Sequence, residues 1–160
     1  MYQDQTGNST VTLHGTYLPF YTEAGLTFVR RRSQYAHMGT TNIGGPQVTF
    51  SVWFLVHSTP TTSPGWHRLF DIANGSNNDN ILLSPSIGTT GNLYADARNG
   101  STFITKLEQP YISIQQGVWY NVTWVFDHTN TISTMYLDGV PVLTAATSGE
   151  IPKKDRVNSY

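Results

Sequence analysis

The side chains in this sequence that could hold a ligand are rings, amides and hydroxyls, while those that could break a bond are few and scattered. Trp53, Trp66, Tyr94, Trp119 and Tyr136 offer ring faces able to stack on the apolar side of a pyranose, with amides and carboxylates to meet its hydroxyls. Asp71, Asn74, Asn77, Asn78 and Asp79 concentrate oxygens in one short stretch, and oxygens are what a hard cation such as calcium takes. The metal set read from it is Asp71, Asn74, Asn78 and Asp79. The stretch lacks the Asp-X-Asp-X-Asp-Gly spacing of an EF-hand, and an Asn/Gly-rich turn between strands has the same composition.

Covalent and acid–base chemistry finds less. The five histidines (His14, His37, His57, His67 and His128) stand apart, without a Gly-X-Ser-X-Gly turn beside any serine and without a His-X-X-X-His pair. There is no cysteine, which excludes disulfides, thiolate metal sites and cysteine nucleophiles. Asp96, in Tyr94-Ala95-Asp96-Ala97-Arg98, has no acidic neighbour and is expected to pair with Arg98 or solvent. No catalytic residue is assigned.

The elements that must position these groups read as strands. Thr49 to Val56 alternates, with Phe50, Val52, Phe54 and Val56 on one face and Ser51, Trp53 and Leu55 on the other. Apolar residues on both faces predict a strand in the middle of a sheet. In the segment from Val118 to Asp127, Val118, Tyr120, Val122, Trp124 and Phe126 share a face opposite Asn121 and Thr123. Most aromatics of such an architecture are core, Trp124 and Phe126 first among them. Further short strands are expected at Gly25–Val29, Gln34–Met38, Trp66–Asp71, Asn80–Ser84, Asn92–Arg98, Thr102–Lys106 and Thr131–Leu137. Asp138-Gly139 supplies the positive φ angles of a tight hairpin. His57 to Gly65 reads as a loop and residues 1–25 as turns and short strands. No segment has the spacing of an amphipathic helix.

Composition agrees with this reading. The 160 residues suffice for one domain, and their formal net charge is −1 with only 12% charged residues. That balance provides no attraction to a phosphate backbone or an anionic membrane, so nucleic-acid binding is disfavoured. Thr, Ser and Asn together supply 46 residues, so polarity comes from hydroxyls and amides. Aromatics at 12% argue against disorder. Arg30, Arg31 and Arg32, without interleaved aromatics, read as a solvated loop. Sequons occur at Asn8, Asn74, Asn99 and Asn121, and a glycan on Asn121 requires its sheet face to be open. No membrane insertion is expected, and no stretch resembles a signal peptide. The fold class is all-β, a two-sheet antiparallel sandwich.

Several segments resemble one family in order and spacing across residues 25–142. They are Gly25-Leu26-Thr27-Phe28, Gln34-Tyr35-Ala36, Phe50-Ser51-Val52-Trp53-Phe54, Arg68-Leu69-Phe70-Asp71, Asn80-Ile81-Leu82-Leu83-Ser84, the run from Gly117 to Asp127, and Met135-Tyr136-Leu137-Asp138-Gly139-Val140-Pro141-Val142. Together they resemble the laminin G-like branch of the concanavalin A-like lectin/glucanase jelly rolls. Asp4 to Asn8 is similar to the lead-in to such domains. Gln34 stands where the family often has an acidic residue. Asp155 to Tyr160 resembles the lead-in to a late strand, so the chain reads as one domain, 1–160, from a longer protein. A missing late strand would leave an unpaired edge.

The resemblance implies two antiparallel sheets, carbohydrate or protein ligands and, in many members, calcium at the sheet rim. The glycosidase branch carries its two carboxylates two residues apart on one strand. Glu23, Glu108 and Glu150 each lack such a partner. The expected function is therefore a non-catalytic, lectin-like carbohydrate-recognition module. Its partners would be a glycan or glycoprotein and the other domains of a parent chain, in an extracellular or surface setting. The alternative is a protein-binding adhesion or spacer module. A glycoside hydrolase of the same fold is more distant.

Overall fold

The computed structural model describes residues 2–3, 10–23, 25–29, 32–57, 67–88, 92–109, 112 and 114–159. In chain order its first strands are β1 (Tyr2–Gln3), β2 (Thr10–His14), β3 (Phe20–Thr22), β4 (Gly25–Thr27), β5 (Tyr35–His37), β6 (Thr41–Asn42) and β7 (Gln47–Leu55). They continue as β8 (Phe70–Ala73), β9 (Ile81–Ile87), β10 (Asn92–Asn99), β11 (Thr102–Gln109) and β12 (Trp119–Asp127). The last are β13 (Ile132–Leu137), β14 (Val140–Ala146), β15 (Asp155–Arg156) and β16 (Asn158–Ser159).

Two antiparallel sheets form the sandwich, a five-stranded one in the order β11-β10-β9-β8-β16 and a four-stranded one in the order β14-β13-β12-β7. Alternation decides what each contributes to the core. The four-stranded sheet turns Phe50, Val52, Phe54, Val122, Trp124, Phe126 and Met135 inward. Ile72, Ile81, Leu83, Leu93, Ala95 and Leu107 meet them from the five-stranded sheet. Phe50 bridges the two layers, its ring 5.1 Å from Phe70 and 5.4 Å from Trp124. Trp124 is fully buried and donates its indole N–H to Ser133 Oγ at 2.7 Å, so its polar atom is satisfied inside the core. The β13–β14 hairpin turns at Asp138 (φ 50°) and Gly139 (φ 79°), the left-handed pair expected from Asp-Gly.

Two expectations need adjustment. Among the described strands β7 pairs only with β12 and so lies at a sheet edge, not in its middle. Its second apolar face is Trp53 and Leu55, and Trp53 is left to solvent. The strand near Asp71 runs over Phe70–Ala73, while Trp66 lies outside the described residues. Asn158 and Ser159 pair with Ala73 and Ile72 of β8, so β16 is the last strand of the described five-stranded sheet.

Candidate functional site

The outer face of the four-stranded sheet collects three of the five aromatic candidates. Since Phe50, Val52 and Phe54 point inward, Ser51 and Trp53 must point outward, and the same parity turns Trp119, Asn121 and Thr123 out of β12. Trp53 lies directly opposite Asn121, and Ser51 directly opposite Thr123, which in turn faces Tyr136 of β13. Trp119 is two residues from Asn121, so Trp53 and Trp119 are diagonal neighbours about 7–8 Å apart at Cα. Trp53 is 65% exposed and Trp119 43%, while Tyr136 is half-buried.

A neutral hydrogen-bonded patch lies between these rings. Asn121 Nδ2 donates to Ser51 Oγ at 3.2 Å, and Thr123 Oγ1 donates to Asn121 Oδ1 at 3.0 Å. The Ser51 and Thr123 hydroxyls are 2.9 Å apart. Asp138 Oδ1 accepts the Asn121 backbone N–H at 2.7 Å, fixing the end of β12. At the far end of the face Asp127 accepts from Gln47 and Asn130, bonds that hold its carboxyl below the usual range. The face carrying the Asn121 sequon is thus open. Asn74 and Asn99 are engaged elsewhere, and Asn8 lies outside the described residues.

The outer face of the five-stranded sheet has a different character. Tyr94 is 2% exposed and donates its hydroxyl to Asp96 Oδ2 at 2.6 Å. Arg98 pairs with the same carboxylate at 3.3 Å, as the sequence suggested, and lies over the Phe103 ring at 4.1 Å. Tyr94 therefore presents no free ring face, and burial together with Asp96 pushes its hydroxyl pKa up. Asp71 stands in the same row as Asp96, with Leu82 between them on β9. Burial raises the Asp71 pKa, opposed by the Asn80 amide at 2.8 Å and by Arg68 at 3.1 Å. Glu108 accepts from Asn92 and pairs with Lys106 at 3.0 Å, and both contacts lower its pKa. Glu23 and Glu150 are exposed and far apart in the chain.

Of the proposed calcium ligands, Asn74 and Asp79 meet, Asn74 Nδ2 donating to Asp79 Oδ2 at 3.4 Å. Asp71 turns onto the sheet face just described, while Asp79 Oδ1 takes the Lys154 ammonium and the Gly100 N–H, each at 2.7 Å. Burial opposes the Asp79 charge, but Lys154, Gly100 and Asn74 outweigh it and lower the pKa. Asn74 Oδ1 accepts from Val157 N–H, and Asn77 and Asn78 are exposed on the turn. Calcium requires several oxygens around one point. A loop whose best carboxylate already holds an ammonium does not fit that demand. Nothing local in the sequence signals Lys154, because it sits 75 residues from Asp79. Arg156 escapes local reading likewise. It is fully buried and donates to the carbonyls of Asp79 at 2.7 Å, Ile43 at 2.6 Å and Pro152 at 3.1 Å. Two histidines that stand apart in the sequence meet across β2 and β5: His14 stacks on Tyr35 at 4.8 Å and meets the His37 ring edge-on at 6.3 Å, while His128 shares a hydrogen bond with Thr147.

Residues 30–160 match the family described as the concanavalin A-like lectin/glucanases superfamily, and the chain belongs to it. Among solved structures it is similar to domain 4 of AbnA, a GH43 extracellular arabinanase from Geobacillus stearothermophilus, in complex with arabinotriose. The TM-score is 0.67 at 17% identity, over 98% of this chain and 75% of that one. It also resembles the native heptameric SAP-like pentraxin of Limulus polyphemus, with a TM-score of 0.47 at 18% identity over 77% of this chain and 53% of that one. These likenesses concern the fold. No curated protein matches the chain.

Proposed function

We propose that this chain is a non-catalytic carbohydrate-recognition module that holds a glycan on the outer face of its four-stranded sheet. Trp53 carries the reading. An indole 65% exposed in mid-strand, beside a second exposed tryptophan, is apolar surface that a bound partner would cover favourably. Asn121, Thr123 and Ser51 supply the neighbouring amide and hydroxyls that sugar hydroxyls require. The arabinotriose held by a relative of the same fold supports a saccharide as the partner.

Recognition is favoured over hydrolysis by the engagement of the carboxylates. Glycosidases need two carboxyl groups free to protonate and attack across a scissile bond. Here Asp96 is tied to Tyr94 and Arg98, Asp71 to Asn80 and Arg68, and Glu108 to Asn92 and Lys106. The proposed contacts are rings, amides and hydroxyls, so binding requires no metal. A glycan or glycoprotein met outside the cell or at its surface is the expected partner.

A glycan array probed with the purified chain, in calcium and again in chelator, tests the reading. Selective binding in both conditions supports it. Silence in both, from a chain with a cooperative melt, favours a protein-binding adhesion role. Exposed Tyr17, Leu18, Phe20 and Tyr21, on and beside the β3–β4 hairpin, would then be the first surface to examine.

A further inference from the structure

Resting on that reading, we infer that the Trp53–Trp119 face selects uncharged glycan chains of at least two sugar units and rejects acidic ones. The charge argument comes from the sheet itself. β7, β12, β13 and β14 contain no lysine, arginine or histidine. Uronates and sulfated sugars are recognised by charge-assisted hydrogen bonds from such cations, and these four strands provide none. The carboxylates bordering it, Asp127 and Asp138, would repel an acidic chain. The cations that engage acidic side chains on the other side of the sandwich, Arg68, Arg98 and Lys106, are already paired with Asp71, Asp96 and Glu108.

The length argument comes from the register. Trp53 and Trp119 are diagonal neighbours, about 7–8 Å apart at Cα, which is wider than one sugar ring stacked on one indole. A single unit covers one ring and reaches the Asn121–Ser51–Thr123 patch. A second unit is needed to cover the other ring. Pyranoses with equatorial hydroxyls suit the face best, because their C–H groups lie toward the ring planes and their hydroxyls point sideways to the amide and hydroxyls.

Calorimetric titration with neutral oligosaccharides of one to four units (arabinan-, xylan- and cellulose-derived) and with oligogalacturonates and heparin oligosaccharides tests this. The expected result is binding to a neutral series that strengthens at least tenfold from one unit to two or three, with no measurable binding of the acidic series. Trp53→Ala and Trp119→Ala should each weaken it about tenfold or more. Both residues are exposed, so the variants are expected to fold, and an unchanged melt verifies this. Preference for acidic chains, or neutral binding that survives both substitutions, overturns the inference while leaving glycan recognition standing. No binding of either series overturns both.

Discussion

Asn121 faces Trp53 across the β7–β12 ladder, so an amide whose hydrogen bonds are set by Ser51 and Thr123 lies beside an indole left in water. The strand alternation that buries Val52 and Val122 brings them together. A ring and an oriented amide on one rigid sheet are preorganised, and binding need not order a loop to assemble them.

Trp53→Ala should separate binding from stability. The side chain makes little of its contact with the core, so its loss should change stability by no more than about 0.5 kcal/mol. Its effect should appear in affinity for a neutral oligosaccharide, measured beside a thermal melt. A large fall in melting temperature would mean that the indole is structural.

Tyr94→Phe should do the reverse. The variant removes a buried hydroxyl that donates to Asp96 and leaves that carboxylate with fewer partners, a cost of about 1–3 kcal/mol. Glycan affinity should stay within twofold, because Tyr94 lies on the other sheet. Lost affinity at preserved stability would move the site to the five-stranded sheet.

Ser133→Ala strands the Trp124 indole N–H in the core. The expected cost is again about 1–3 kcal/mol, and in a chain of this size each kcal/mol lowers the melting temperature by about 2–4 °C. A melt unchanged within error would show that the bond contributes nothing net.

Two aspartates should respond to acid with opposite sign. Asp79 has a lowered pKa in the folded chain, so its contribution is complete above the ordinary carboxylate value of about 3.9 and disappears as the pH falls through the folded value. Asp71 has a raised pKa, so its ionised form opposes folding at neutral pH and the opposition is relieved as the pH drops through that raised value. Asp79→Asn keeps a residue that tolerates φ of 57° and should lower stability at pH 7 by about 0.2–1 kcal/mol, with a smaller loss at pH 3. Asp71→Asn should melt at or above the parent at pH 7. Denaturant melts from pH 3 to 7 distinguish the two, and parallel curves would contradict the assignment.

The strands were legible wherever alternation was strong. Phe50 to Val56 and Tyr120 to Phe126 announce an inner face, and Asp138-Gly139 announces its turn. The three aromatics of the outer face were likewise legible as ring candidates, though which sheet they shared depended on the register between β7, β12 and β13. What escaped was long-range. Lys154 on Asp79 and Arg156 on the Ile43 carbonyl join segments 75 and 113 residues apart, and no local pattern encodes such a meeting. Of the oxygens clustered between Asp71 and Asp79, those of Asn74 and Asp79 lie in one turn, while Asp71 is held by Asn80 on the sheet face. Along a strand and through a left-handed turn, adjacent side chains point to different faces.

The most direct test of glycan recognition at this face follows the tryptophan indole N–H signals by NMR while a neutral oligosaccharide is added. The Trp53 and Trp119 signals should shift with one common affinity, and that of Trp124, held inside by Ser133, should stay fixed. Shifts confined to residues around Tyr94 and Arg98, or none from the outer tryptophans at saturation, would contradict the account.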